Sequence, residues 1–160
     1  MTNPTPTPRA CAFTGHRTLL QAEMTRVCEA LVLLIDRLYR EGYTVYYCGG
    51  ALGFDTVAAV TVLNMKAKYP DLRLIMALPC PEQSARWQKA DRALYQSILS
   101  RADEVVTLSE HYTNYCMMKR NRYMVDHADK VIAYLKKDTG GTASTVRYAE
   151  KKGIDIINLA

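Results

Sequence analysis

Thr14 closes the short apolar run that begins at Arg9, and Gly15, His16 and Arg17 stand directly after it. Two further glycine turns, Gly49-Gly50-Ala51-Leu52-Gly53 and Gly140-Gly141-Thr142, likewise follow apolar runs and lead toward helical stretches. Glycine lets the backbone come close to a ligand, and the amides at a helix amino terminus attract anions. Arg17 adds a guanidinium suited to bidentate phosphate contact, with His16 beside it. The chemistry offered is recognition of a phosphate-bearing small molecule. A purely structural use stays open, with Arg17 paired to a surface carboxylate and His16 capping a helix.

Other residues extend this set. Asp55, just after the second glycine turn, can contact ribose hydroxyls, orient a base or cap its helix. The turn itself is neither GxGxxG nor a Walker sequence, so a conventional NAD or ATP motif is absent. Arg120 and Asn121, within Lys119-Arg120-Asn121-Arg122, fall near the start of a helix and so near the same edge. Ser144 and Thr145 add hydroxyls to the third turn, which can equally be an ordinary N-cap. Trp87, the only tryptophan, can stack on a base or pack its segment against the sheet. No metal site is expected, because His16, His111 and His127 form no HxH or HExxH spacing and the five cysteines include no CxxC pair. No resident cofactor is expected either.

What must position these residues is an alternation of strands and helices. The β-prone runs are Arg9 to Thr14, Tyr43 to Cys48, Leu72 to Leu78, Glu104 to Leu108, Val131 to Leu135 and Ile154 to Leu159. Between them, helical spacing runs over Leu19 to Arg40, Asp55 to Lys68, Ser84 to Arg101, Met117 to Ala128 and Thr142 to Lys152. The first of these helices predicts Val27, Leu31, Leu34, Ile35 and Leu38 on its buried side, and the second predicts Val57, Ala58, Val62 and Met65. Pro79-Cys80-Pro81 is a turn placed like a wall or lid. Such alternation predicts an α/β fold, a Rossmann-like three-layer sandwich with a mostly parallel sheet and helices on both faces. Its strand ends open onto one edge, where the three glycine turns converge.

The 160 residues suit one domain, expected over residues 9–160, preceded by a proline-rich extension, Met1 to Pro8, too poor in apolar atoms to order. That extension lacks the basic and apolar regions of a signal peptide, and no apolar stretch approaches a membrane span. Scattered cysteines (Cys11, Cys28, Cys48, Cys80, Cys116) read as reduced, mostly buried thiols of a cytoplasmic protein. A net charge of +5 suits an anionic ligand or weak nucleic-acid binding without choosing between them.

Taken together, FTGHR at 13–17, GGALGFD at 49–55, the Trp87 segment, KRNRYMVDHAD at 119–129 and GGTASTV at 140–146 resemble the YpsA-like branch of the SLOG superfamily. That superfamily also holds the DprA DNA-processing proteins and the LOG phosphoribohydrolases. The resemblance spans about residues 9–160 and implies a Rossmann-like domain binding a nucleotide or nucleotide-derived ligand across the strand ends, often as a sensor or regulator. Enzymatic LOG members carry PGGxGTxxE. Here the turn is Thr139-Gly140-Gly141-Thr142 and the position three beyond Thr142 is Thr145, so the expected carboxylate is missing and Asp55 or Glu82 would have to substitute. The sequence therefore favours a nucleotide-binding sensor. N-glycosidic cleavage of a nucleoside monophosphate is the first alternative, and single-stranded DNA binding the second, although the tyrosines between Tyr112 and Tyr123 fall at core-compatible spacing. Expected partners are a nucleotide-derived small molecule and, less favoured, nucleic acid; no membrane is expected, and a homo-oligomer stays open.

Overall fold

The computed structural model describes residues 7–160, so most of the predicted N-terminal extension lies outside the described residues. Six strands alternate with five helices: β1 (Arg9–Gly15), α1 (Gln21–Arg40), β2 (Tyr43–Cys48), α2 (Phe54–Met65), β3 (Arg73–Leu78), α3 (Lys89–Arg101), β4 (Glu104–Thr107), α4 (Cys116–Asp126), β5 (Lys130–Tyr134), α5 (Gly141–Lys151) and β6 (Asp155–Asn158). The strands form one sheet in the order β4-β3-β2-β1-β5-β6, and every neighbouring pair is parallel. This is the Rossmann-like three-layer architecture.

The layers follow from the period of a strand, which sends successive side chains to opposite faces. Cys11 and Phe13 of β1, with Ile132 and Tyr134 of β5, enter a core shared with Val27, Leu31, Ile35 and Leu38 of α1, Val62 of α2 and Ile98 of α3. Ala12 of β1 and Val131 and Ala133 of β5 face the other way, against Met124 and Val125 of α4 and Val146 and Ala149 of α5. Alanine at Ala12, Ala77 and Ala133 leaves room for α4 and α5 to approach that face. The five residues predicted for the buried side of α1 are buried. On α2, Ala58, Val62 and Met65 are buried but Val57 is only half-buried. That helix is covered by both α1 and α3, so burial spreads around it and no single apolar stripe marks its inner side.

One helix boundary departs clearly from the predicted pattern. α3 begins at Lys89, not near Ser84, and the segment before it is a set of tight turns in which the Ala85 amide bonds to the Glu82 carbonyl at 3.0 Å and the Trp87 amide to that of Ser84 at 3.1 Å. The Gln83 side chain explains the arrest. Its Nε2 donates to the Gly49 carbonyl and to the Tyr95 hydroxyl, both at 3.1 Å, which pins this segment to the second glycine turn.

Strand order decides where the site lies. From β1 the chain proceeds through β2, β3 and β4 on one side, then returns to lay β5 and β6 on the other. Loops leaving β1 and β5 therefore part in opposite directions and open a crevice at the carboxyl edge. The last matched pair across it is Gly15 with Tyr134.

Candidate functional site

The crevice has a central chamber of about 300 Å³ lined by Thr14, Gly15, His16, Arg17, Ala51, Asp55, Arg120, Asn121 and Thr139 to Thr142, with Phe13, Met117 and Met124 as its apolar floor. Arg17, Ala51 and Met117 also line an outer chamber of about 580 Å³, whose walls include Leu52, Pro79, Gln83, Trp87 and Tyr112. The two chambers are parts of one depression. Three separated stretches of sequence meet here because each follows a strand at the same sheet edge.

Asp55 is the centre of the chemistry. It is the second residue of α2, yet it caps nothing at its own helix start; its Oδ2 instead accepts from the Ala51 amide at 3.2 Å, closing the glycine turn on itself. Thr56 Oγ1 donates to the Ala51 carbonyl at 3.1 Å and holds the same turn from the other side. Asp55 is 5% exposed and its Oδ1 has no hydrogen-bond partner among the described residues. Burial pushes its carboxyl up to about 6, against the opposing pull of the Arg120 guanidinium, the Ala51 amide and the Arg17 charge. A carboxylate kept dry with one free oxygen is an acceptor for a hydroxyl or amine donor.

Arg120, read from the sequence as a ligand contact, lines the chamber but spends its guanidinium on the protein. Nη1 donates to the Gly49 carbonyl at 2.6 Å and the Ala77 carbonyl at 3.3 Å, and Nε donates to Asn121 Oδ1 at 2.8 Å. It is 3% exposed, ties β3 and the second glycine turn to α4, and supplies Asp55 with a nearby positive charge. Asn121, its oxygen occupied by Arg120, still borders the chamber. Arg17 is exposed, and no carboxylate pairs with it among the described residues, so the surface ion-pair reading is not what the structure has.

The glycines divide by use. Gly140 and Gly141 are exposed at the start of α5, with open space where a side chain would stand, and Thr142 follows them into the helix. Gly49 and Gly53 lie behind the chamber wall: a Cβ on Gly49 would fall 2.5 Å from Arg120, and one on Gly53 would fall 2.2 Å from the Arg17 carbonyl oxygen. Gly50 is packed behind it too, against Met76 and Tyr95. Gly15 is lean because Phe54 lies across it, 2.4 Å from where its Cβ would be. These four glycines let loops approach each other, whereas Gly140 and Gly141 leave a ligand room.

His16 caps no helix. Its Nε2 accepts from the Lys136 amide at 2.8 Å and ties the loop after β1 to the loop after β5. Desolvation, then the Lys137 and Lys136 charges, lower its pKa from 6.5. Protonating Nε2 removes the acceptor, so the folded state prefers neutral imidazole, and this contribution is lost as pH falls from 6.5 through the lowered value. An NMR titration of the His16 imidazole is expected to show a midpoint below 6.5, and Lys136→Ala and Lys137→Ala together are expected to move it upward.

Trp87 sits on the turn before α3, edge-on to Tyr95 with ring centres 5.1 Å apart, and lines the outer chamber. It therefore packs and borders the cavity at once. Glu82 lies on the rim of the outer chamber, while Asp55 alone of the two candidate acids reaches the central one. Thr145, where the resemblance would place a carboxylate, donates its hydroxyl to the Gly141 carbonyl at 2.8 Å. Tyr112 and Tyr115 are exposed at 68% and 71%, which corrects the core-compatible reading of their spacing: the loop before α4 is free of helical register. Met117, which touches both chambers, was not anticipated, because an apolar residue at a helix start carries no sequence signal for a site. Four of the five cysteines are buried and all are free thiols. Among the described residues no group of three His, Cys, Asp or Glu side chains could hold a metal ion, and no helix is long and apolar enough to cross a membrane.

A family model, YpsA, described as the YspA SLOG family, matches residues 14–156. The chain belongs to the YpsA SLOG family. Among relatives of this YpsA-family chain, the uncharacterized SPbeta prophage-derived protein YoqJ of Bacillus subtilis is 30% identical over 141 residues, covering 80% of this chain and 82% of YoqJ. A UPF0398 protein of Bacillus cereus is 33% identical over 107 residues, covering 65% of this chain and 58% of its own length. In fold the YpsA-family chain is similar to DNA processing protein A from Helicobacter pylori, whose structure was described for its single-stranded DNA binding mode. The TM-score is 0.68 at 23% identity, over 94% of this chain and 64% of that one. DNA processing protein A from Streptococcus pneumoniae gives 0.67 at 22%, over 93% and 49%. At such identities the likeness is one of fold.

Proposed function

We propose that the chain binds a nucleotide or nucleotide-derived ligand at the carboxyl edge of its sheet and acts as a sensor or regulator. The observation that carries this reading is Asp55, a buried carboxylate lining the central chamber with one oxygen unpartnered. That oxygen is closed to solvent in the free protein, so a ribose hydroxyl supplies the donor it lacks when the side chain turns toward the chamber. Beside it, the exposed start of α5 at Gly140-Gly141-Thr142 suits a phosphate, since backbone amides and the helix dipole both favour an anion there. Arg17 stands between the chambers as a cation for the same phosphate. The outer chamber, walled by Trp87, Leu52, Pro79 and Tyr112, has the apolar and aromatic surface a base needs.

Calorimetry with AMP, GMP, CMP and UMP tests the reading. Binding of at least one is expected, with Arg17→Ala weakening it by about tenfold through loss of a charge-assisted contact. Absence of heat for all four with folded protein would reject it. The same mixtures, assayed for released base, decide the hydrolytic alternative, for which Asp55 is the available carboxylate.

A second reading, single-stranded DNA binding, draws support from the exposed Tyr112, which lines the outer chamber, and from the exposed Tyr115 on the same loop, both of which suit base stacking. Salt-sensitive retention of an oligonucleotide, lost in Tyr112→Ala with Tyr115→Ala, would favour it over the small ligand.

A further inference from the structure

Beyond the central chamber the depression continues into a groove of about 360 Å³ between α4 and α5, joined to it through Met117, Asn121 and Gly141. Three cations line this groove, Arg122, Arg147 and Lys151, and no carboxylate does. Some lysines sit in ion pairs among the described residues, as Lys66 does with Asp103 and Lys68 with Asp36, whereas others, such as Lys89 and Lys137, do not. Arg122, Arg147 and Lys151 have no such carboxylate among the described residues. Asp126, the acid on α4 facing α5, is taken up by Lys152 and by the Tyr148 hydroxyl.

Two of the cations are also held in place by neutral partners. The Arg122 guanidinium lies over the Tyr148 ring, 4.9 Å from its centre, and Arg147 Nη1 donates to the Asp138 carbonyl at 3.0 Å. Neither contact neutralises charge, so the groove keeps a concentrated positive field beside the start of α5. Met118 adds apolar surface to the same walls beside the edge of Tyr148, whose ring also carries Lys152, and a bare phosphate would not use that surface but a second nucleoside would.

We infer that this groove is a second subsite and that the ligand is a phosphodiester-linked dinucleotide. The 3′ nucleoside keeps its free ribose hydroxyls at Asp55, the linking phosphate rests on the amides at the start of α5, the 5′-phosphate lies among Arg122, Arg147 and Lys151, and the 5′ nucleoside lies along Met118 and Tyr148. The inference rests on the mononucleotide reading above and extends it along the same crevice.

Calorimetry with AMP and with the dinucleotide pApA separates the two. In the unaltered protein pApA is expected to bind about tenfold or more tighter than AMP, as a further set of charge-assisted contacts requires. Arg122→Glu combined with Lys151→Glu, both exposed and outside the central chamber, is expected to bring pApA down to the AMP affinity while AMP binding stays unchanged and the protein remains folded, with the melt lowered by a few degrees at most through loss of the Arg122–Tyr148 contact and of a cation in the last turn of α5. Equal binding of AMP and pApA by the unaltered protein, or a pApA advantage that survives the double variant, overturns the second subsite. An equal gain for ATP overturns the dinucleotide and reduces the groove to a phosphate site. Much tighter binding of a twelve-residue oligonucleotide overturns the small ligand in favour of a polynucleotide. If AMP itself fails to bind, the mononucleotide reading falls, and the inference built on it falls too.

Discussion

Asp55→Asn is expected to make the free protein more stable above pH 7 while weakening nucleotide binding. In the fold, burial raises the Asp55 carboxyl from 3.8 to about 6, so the folded protein holds a proton that the unfolded chain releases. Stability is therefore lost as pH rises from 3.8 through about 6, and the loss persists above that range. Two units correspond to about 3 kcal/mol. Asparagine keeps an oxygen for the Ala51 amide but carries no charge to desolvate, so it recovers up to that amount. Urea denaturation of both proteins at pH 4 and pH 8 checks this: the difference between them should be small at pH 4 and grow toward about 3 kcal/mol at pH 8. Taking the difference cancels the other carboxylates whose values are lowered, such as the partly exposed Glu23 and the exposed Asp126. Nucleotide affinity should fall about 10- to 100-fold, because a hydrogen bond to a charged acceptor is worth roughly 1.5–3 kcal/mol. A variant that is less stable at every pH and binds normally would make Asp55 a structural residue only. The opposite signs of the two effects mark a residue kept at a cost to the fold for what it binds.

Gly53→Ala is expected to lower the melting temperature by the order of 10 °C and to weaken the same binding. Gly53 precedes α2 at φ +80° and ψ −122°, a conformation that strains any residue bearing a Cβ by about 1–3 kcal/mol. The added methyl would also stand 2.2 Å from the Arg17 carbonyl oxygen and 2.4 Å from its carbon, so backbone must move, at a further cost of about 1–3 kcal/mol. For a chain of this size each kcal/mol lowers the melting temperature by roughly 2–4 °C. Movement here reaches the site directly, since the Phe54 amide donates to the His16 carbonyl at 3.1 Å and Arg17 follows it. Gly141→Ala is the control. Its φ is not positive and its Cβ would meet nothing within 4 Å, so the melt should hardly change, and any loss of binding there reports on the ligand's own space. Equal melts for Gly53→Ala and Gly141→Ala would refute the close-approach account.

Much of the architecture was legible along the chain because periodicity is a local property. Val27, Leu31, Leu34, Ile35 and Leu38 recur at helical spacing on a helix with one exposed side, and all five are buried. α2 is different: helices flank it on both sides, its inner side is not marked by a stripe, and Val57 came out only half-buried. The start of α3 was also illegible, since Gln83 reaches a carbonyl 34 positions away and arrests a segment that helical spacing would otherwise extend. Tyr112 and Tyr115 sit on a loop, where spacing carries no information about burial.

The candidate site divides along the same line. Glycine turns at strand ends, Asp55 beside one of them and Arg17 beside another can be read from residue types and their places, because a parallel sheet delivers all such ends to one edge. What each residue does there could not. Arg120 and Arg17 look alike in sequence, yet one is buried against the Gly49 and Ala77 carbonyls and the other is exposed at the junction of two chambers. Gly53 and Gly141 both stand at helix starts, but only a neighbouring loop distant in sequence shows that the first is filled by protein and the second is open. The sequence by itself therefore determined the layered α/β fold and the edge at which its chemistry gathers. Tertiary structure alone decided which polar groups are consumed by the protein and which oxygen is left without a partner, because hydrogen-bond satisfaction and burial depend on contacts between segments that sequence spacing does not encode.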